Sequence, residues 1–128
     1  MRAAVIKAAV SASTAVLLMA PASSASVPMS ADDTHEGVTI SVKGRGLHVD
    51  RIAVMSGKIR RGERFLVYRH EGTESTMSNV TRWKTARRVS GERYTRASWK
   101  IDRRFPDGTW LCAAAKKASG NPCIKVHR

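Results

Sequence analysis

Four histidines, two cysteines and several clusters of arginine are the residues through which this chain could do chemistry. Acid–base hydrolysis needs a base, an acid and a cation to hold developing negative charge. Arg69, His70 and Glu71 are the nearest such group, and a small secreted nuclease centred on His70 and Glu71 is the hydrolytic reading. Against it, a histidine beside a glutamate at a strand end is usually solvated surface. His48 and Asp50 would share one face of a strand, which suits a structural hydrogen-bonded pair. No Ser-His-Asp arrangement, glycine-rich phosphate loop or HExxH motif is present. No cofactor, no metal and no enzymatic activity are expected.

The arginines make the stronger statement. The 128 residues hold 23 Lys and Arg against 10 Asp and Glu, for a formal net charge of +13. Fifteen of those bases are arginine, whose planar fork matches phosphate, sulfate and carboxylate better than lysine does. Arg60 and Arg61, with Lys58 and Arg64, crowd one turn. Arg87 and Arg88, with Arg93, flank another, and Arg103, Arg104, Lys116 and Lys117 lie near the last loops. Arg60, Arg61, Arg64, Arg87, Arg88, Arg103 and Arg104 form the expected anion-binding set. They fall at strand ends, where several could gather into one patch at one end of a sandwich. A solvated, solubilising surface is the plainer reading of the same charges. Nucleic-acid readers interleave aromatics with cations. Here Trp99, Phe105 and Trp110 have core parity, and only Trp83, in Arg82-Trp83-Lys84, could stand exposed among cations.

Residues 1–25 read as a cleaved export signal. A positive n-region (MRAAVIK) precedes a short apolar stretch ending at Ala20, and small residues allow cleavage after Ala22 or Ala25. The apolar stretch is shorter than the roughly 20 residues a membrane span requires. Its removal takes away Arg2 and Lys7 but no acid, leaving a charge near +11. The expected product is secreted and extracellular. Outside a reducing cytoplasm, Cys112 and Cys123 are most simply a structural disulfide. It closes a loop of about 12 residues, worth roughly 3 kcal/mol by chain entropy. Pairing within and between molecules both remain open at this level.

The elements that must position these groups are strands. Residues 26–37 are polar and without periodicity, and are taken as a flexible lead-in. From Val38 the pattern turns to period two, with Val38, Ile40 and Val42 on one face, before Gly44-Arg45-Gly46 breaks the run. Residues 47–55 predict a second strand with a register change near Arg51. The run Phe65-Leu66-Val67-Tyr68 predicts a strand covered on both faces, and 71–79 the longest polar loop. Residues 80–89 fit a strand or a short helix, and a strand with Trp83 facing inward is preferred because Thr, Val and Trp favour it. Ala97, Trp99, Ile101 and Phe105 alternate with polar residues in the cleanest strand, followed by a Pro106-Asp107-Gly108 turn. Residues 109–115 and 123–127 complete the set. About seven short strands at regular spacing predict one all-β domain over 38–128, an antiparallel sandwich, with a small oligonucleotide-binding-type barrel as its rival.

Residues 97–128 carry a resemblance. Trp99, then Phe105-Pro106-Asp107-Gly108-Thr109-Trp110, a small-residue strand, Gly120-Asn121 and a final alternating strand resemble the closing part of bacterial immunoglobulin-like domains. Asp107 to Cys112 is also similar to the D-x-G-x-Y-x-C corner of immunoglobulin domains, with Trp110 where the tyrosine would stand, one residue closer to the Asp. No early-strand cysteine exists, so an inter-sheet bridge is excluded and the resemblance leaves Cys112 to Cys123. The resemblance implies an immunoglobulin-like sandwich that serves as a binding or spacer module, without catalytic residues. The expected function is therefore adsorption to an anionic polymer or cell-envelope surface, with nucleic acid as a non-specific partner. A secreted antagonist is the alternative, either membrane-active or an inhibitor presenting the disulfide loop 113–122.

Overall fold

Alternation of side chains builds two faces of one core. The computed structural model describes residues 28–128; the proposed export signal, 1–25, lies outside the described residues. The strands are β1 (Pro28–His35), β2 (Val38–Arg45), β3 (His48–Ser56), β4 (Arg64–His70), β5 (Ser78–Asn79), β6 (Lys84–Thr85), β7 (Arg87–Arg88), β8 (Thr95–Arg104), β9 (Trp110–Ala115) and β10 (Cys123–Lys125). One sheet runs β1-β2-β3-β8-β7 and the other β10-β9-β4-β5, with β6 also on β4. All pairings are antiparallel. Apart from β1, the order is that of an immunoglobulin-like sandwich: four strands against a sheet closed by the last hairpin. Among the described residues no helix is long and apolar enough to cross a membrane.

Val38, Ile40 and Val42 from β2 and Ile52 and Val54 from β3 meet Phe65, Val67, Leu111 and Ala113 from the facing sheet. Each large apolar side chain so buried stabilises the fold by about 2 kcal/mol relative to exposure. The register change expected near Arg51 is present: the β3–β8 ladder slips between Val49 and Arg51. There Asp102 takes a positive φ of 47°, a conformation Asp tolerates better than most residues.

Three expectations are corrected. Residues 28–35 are a strand, not a flexible lead-in. Turn residues Glu36 and Gly37, both at positive φ, make a tight hairpin that lays β1 along the whole of β2. Its polar side chains lack periodicity because two of them bind backbone: Asp33 accepts the Cys123 N–H at 3.0 Å and His35 Nδ1 the Asn121 N–H at 3.0 Å. Second, residues 80–89 are not one inward strand. They break into β6 and β7 on different sheets, and Trp83 is 37% exposed. Third, Trp110 has the parity opposite to buried Leu111 and Ala113 and is only half-buried, its ring stacked with His70 at 6.2 Å.

The disulfide is intramolecular. Cys112 and Cys123 are directly opposed in the β9–β10 ladder, Cα atoms 4.0 Å apart, so the bridge stays within one sheet. Glu63, 1% exposed, anchors the loop it closes. Its carboxylate accepts the N–H groups of Arg64, Lys117 and Ala118 at 3.0, 2.9 and 3.0 Å, a charge-assisted set that satisfies a buried anion without a cation. The Lys117 ammonium in turn donates to the Arg61 carbonyl.

Candidate anion-binding groove

The site forms where the chain changes sheets. Val80 and Thr81 donate their N–H groups to the Val67 carbonyl at 2.9 and 3.1 Å, and Thr81 Oγ1 accepts the Val67 N–H at 2.9 Å. Lys84 and Thr85 then pair with Phe65 and Arg64, still on β4. Ala86 is the crossing point, its N–H held by the Glu63 carbonyl at 2.9 Å. Only Arg87 and Arg88 reach the other sheet, opposite Arg96 and Thr95. The ten-residue β8 is therefore covered for two residues on that side, and a groove opens between its remainder and residues 80–84.

The groove has two joined hollows, of about 490 Å³ and about 380 Å³, sharing Lys84. Arg82, Trp83, Trp99, Lys100 and Arg103 line the first; Arg87, Arg88 and Arg96 line the second. No carboxylate lines either hollow. Arg87 stands directly opposite Arg96, a like-charge cross-strand pair that lowers stability. The Lys84 ammonium spans the gap, donating to the Ser98 carbonyl at 2.6 Å and lying 5.9 Å from the centre of the Trp99 ring. Lys116 covers Trp83 at 4.4 Å, so both tryptophans hold ammonium groups in place by cation–π attraction.

The wider surface is equally unneutralised. Among the described residues Arg69 is the one Lys or Arg within 4.0 Å of a carboxylate, that of Glu71 at 3.3 Å. Asp33 and Glu63 serve backbone donors, and Glu36, Asp50 and Asp102 lie beside histidine.

The expected anion-binding set is divided rather than gathered at one end. Arg87, Arg88 and Arg103 line the groove. Arg60 and Arg61 lie in the β3–β4 turn and Arg64 at the start of β4. Arg104 lines a separate hollow with Phe105, Asp107 and Arg128. Sequence reasoning did not mark Arg96 or Lys100, and it assigned Trp99 to the core. Clustering along the chain hides a groove whose walls come from residues 80–88 and 96–103. The Arg82-Trp83-Lys84 triplet was the one legible signal.

The candidate acid–base groups hold one another in structural contacts. Glu71 binds Arg69, while His70 Nδ1 accepts the Gly72 N–H at 2.9 Å. His48 Nε2 lies 2.8 Å from Asp102 and 3.3 Å from Asp50. These three could present ligand atoms within 4.8 Å of one another, but the spacing is that of a hydrogen-bonded histidine between two carboxylates. His70 also neighbours Cys112 and Cys123, whose sulfurs are consumed by the disulfide. Compared with family models, curated proteins and solved structures, the chain matches none of them.

Proposed function

We propose that this protein is an exported, non-enzymatic binding module that holds an anionic polymer along the groove beside β8. One observation carries the reading: a groove lined by Arg and Lys from two sheets, with two tryptophans and no carboxylate, includes an arginine pair that the fold itself disfavours. Like charges left unscreened at about 5 Å repel, and an anion laid between them reverses that sign. The export segment and the disulfide support a setting outside the cytoplasm, where anionic envelope polymers are the natural counterpart. The strand order supports, as part of this proposal, kinship with bacterial immunoglobulin-like modules.

Titrating the oxidised protein with polyphosphate across a salt series tests the reading. Affinity should fall steeply, on a log–log plot, between about 50 mM and about 500 mM salt. Lys100→Glu with Arg103→Glu should weaken it far more than Arg60→Glu with Arg61→Glu. A flat salt response, or equal losses from the two double variants, would sink the groove assignment.

A further inference from the structure

The groove also has a backbone wall. Eight of the ten residues of β8 lack a strand partner on the side away from β3. The Ser98 carbonyl points to that side, because Lys84 reaches it there. By the two-residue alternation of an antiparallel ladder, the N–H and C=O of Ser98 and Lys100 face the groove, while Ala97 and Trp99 bond to β3. The Lys84 ammonium thus stands where the N–H of a neighbouring strand would stand. Interruption comes at Asp102, whose positive φ breaks the ladder. An open edge of this kind is a template for another strand.

We propose that the β8 edge takes up an extended acidic polypeptide, which joins the sheet as an antiparallel strand. The proposal rests on the groove reading above and names the polyanion. Two chemistries face an incoming strand. The groove floor is apolar, formed by half-buried Val80, Trp99 and Ile101 packed on the core. Outward lie the exposed side chains of Arg96 and Lys100, on the same face as Ser98. A strand that alternates acidic and apolar residues meets both at once, since directly opposed residues share a face. The same cations repel a second copy of this basic chain, so the occupant is an acidic segment of another protein. Swinging Lys84 aside exchanges its bond to Ser98 for a backbone N–H and frees the ammonium for a carboxylate.

The register makes the test specific. Residues opposite Ser98 and Lys100 exchange backbone hydrogen bonds with them and must be the acidic ones. A peptide of about eight residues alternating Glu and Val is compared with two N-methylated forms, one methylated on its Glu residues and one on its Val residues. Binding to the oxidised protein is measured by calorimetry at fixed salt, with polyphosphate alongside. Methylating Glu should weaken binding by about tenfold or more, the loss of two backbone hydrogen bonds. Methylating Val should leave it within about twofold. Ser98→Pro, which removes the outward N–H and suits an edge position, should lower peptide affinity by about fivefold. Equal affinities for all three peptides overturn strand addition and leave the groove reading standing. If polyphosphate also fails to bind, the groove reading itself falls.

Discussion

Along the flank where β1 meets β10, backbone donors end on side-chain acceptors: Cys123 on Asp33, Asn121 on His35, Lys117 and Ala118 on Glu63. Gly120 packs so closely there that a Cβ would lie 2.0 Å from the His35 carbonyl oxygen. Along the flank where β8 faces β6, the ladder stops after two pairs and the gap is lined by cations. The contrast shows how a chain with few acids divides its electrostatics. Asp33, Glu63 and the Glu36-paired His35 satisfy the closed flank, and no carboxylate lines the open one.

Breaking the closed flank should have the largest effects. Glu63→Ala strands three N–H groups and should destabilise the oxidised protein by about 4 kcal/mol, read from urea melts; a loss under about 1 kcal/mol would mean that water replaces the carboxylate. Replacing both cysteines by alanine should cost about 3 kcal/mol, a fall of roughly 10–20 °C in Tm by calorimetry. Gly120→Ala should cost about 2 kcal/mol, because the loop must lift from β1; an unchanged Tm would show that this contact is easily relaxed.

The open flank should answer in the opposite sense. Arg87→Thr relieves the cross-strand repulsion and should raise stability by about 0.5 kcal/mol, while lowering polyphosphate affinity several-fold. Stability and affinity falling together would show that Arg87 is held by packing and that the groove's cations are not in conflict with the fold.

The parts legible in the sequence were those governed by local alternation. Val38, Ile40 and Val42 announced β2, the Arg51 irregularity announced the bulge, and the even cysteine pair, read with an expected export segment, announced the Cys112–Cys123 bridge. Residues 28–35 were illegible because Asp33 and His35 act through partners some 90 positions away. Residues 80–89 misled because Trp83 and Val80 have strand propensity, yet contacts with Val67 and Glu63 divide that stretch between two sheets. Trp99 has the parity of a core residue and is half-buried; its groove-facing part depends on the absence of a long β7, which no local pattern encodes.

Placing the bridge within one sheet has a mechanical consequence. Cys112 and Cys123 clasp neighbouring strands, so no disulfide joins the two layers of the sandwich, which are linked covalently through the backbone alone. Force that slides or peels one layer from the other loads the interlocked Val, Ile and Phe side chains and the loop bonds around Glu63, never the sulfur–sulfur bond. Reduction would loosen the last hairpin while leaving resistance to layer separation largely to the core. Tethered by a bound polymer at the open flank, the domain would yield as two sheets parting.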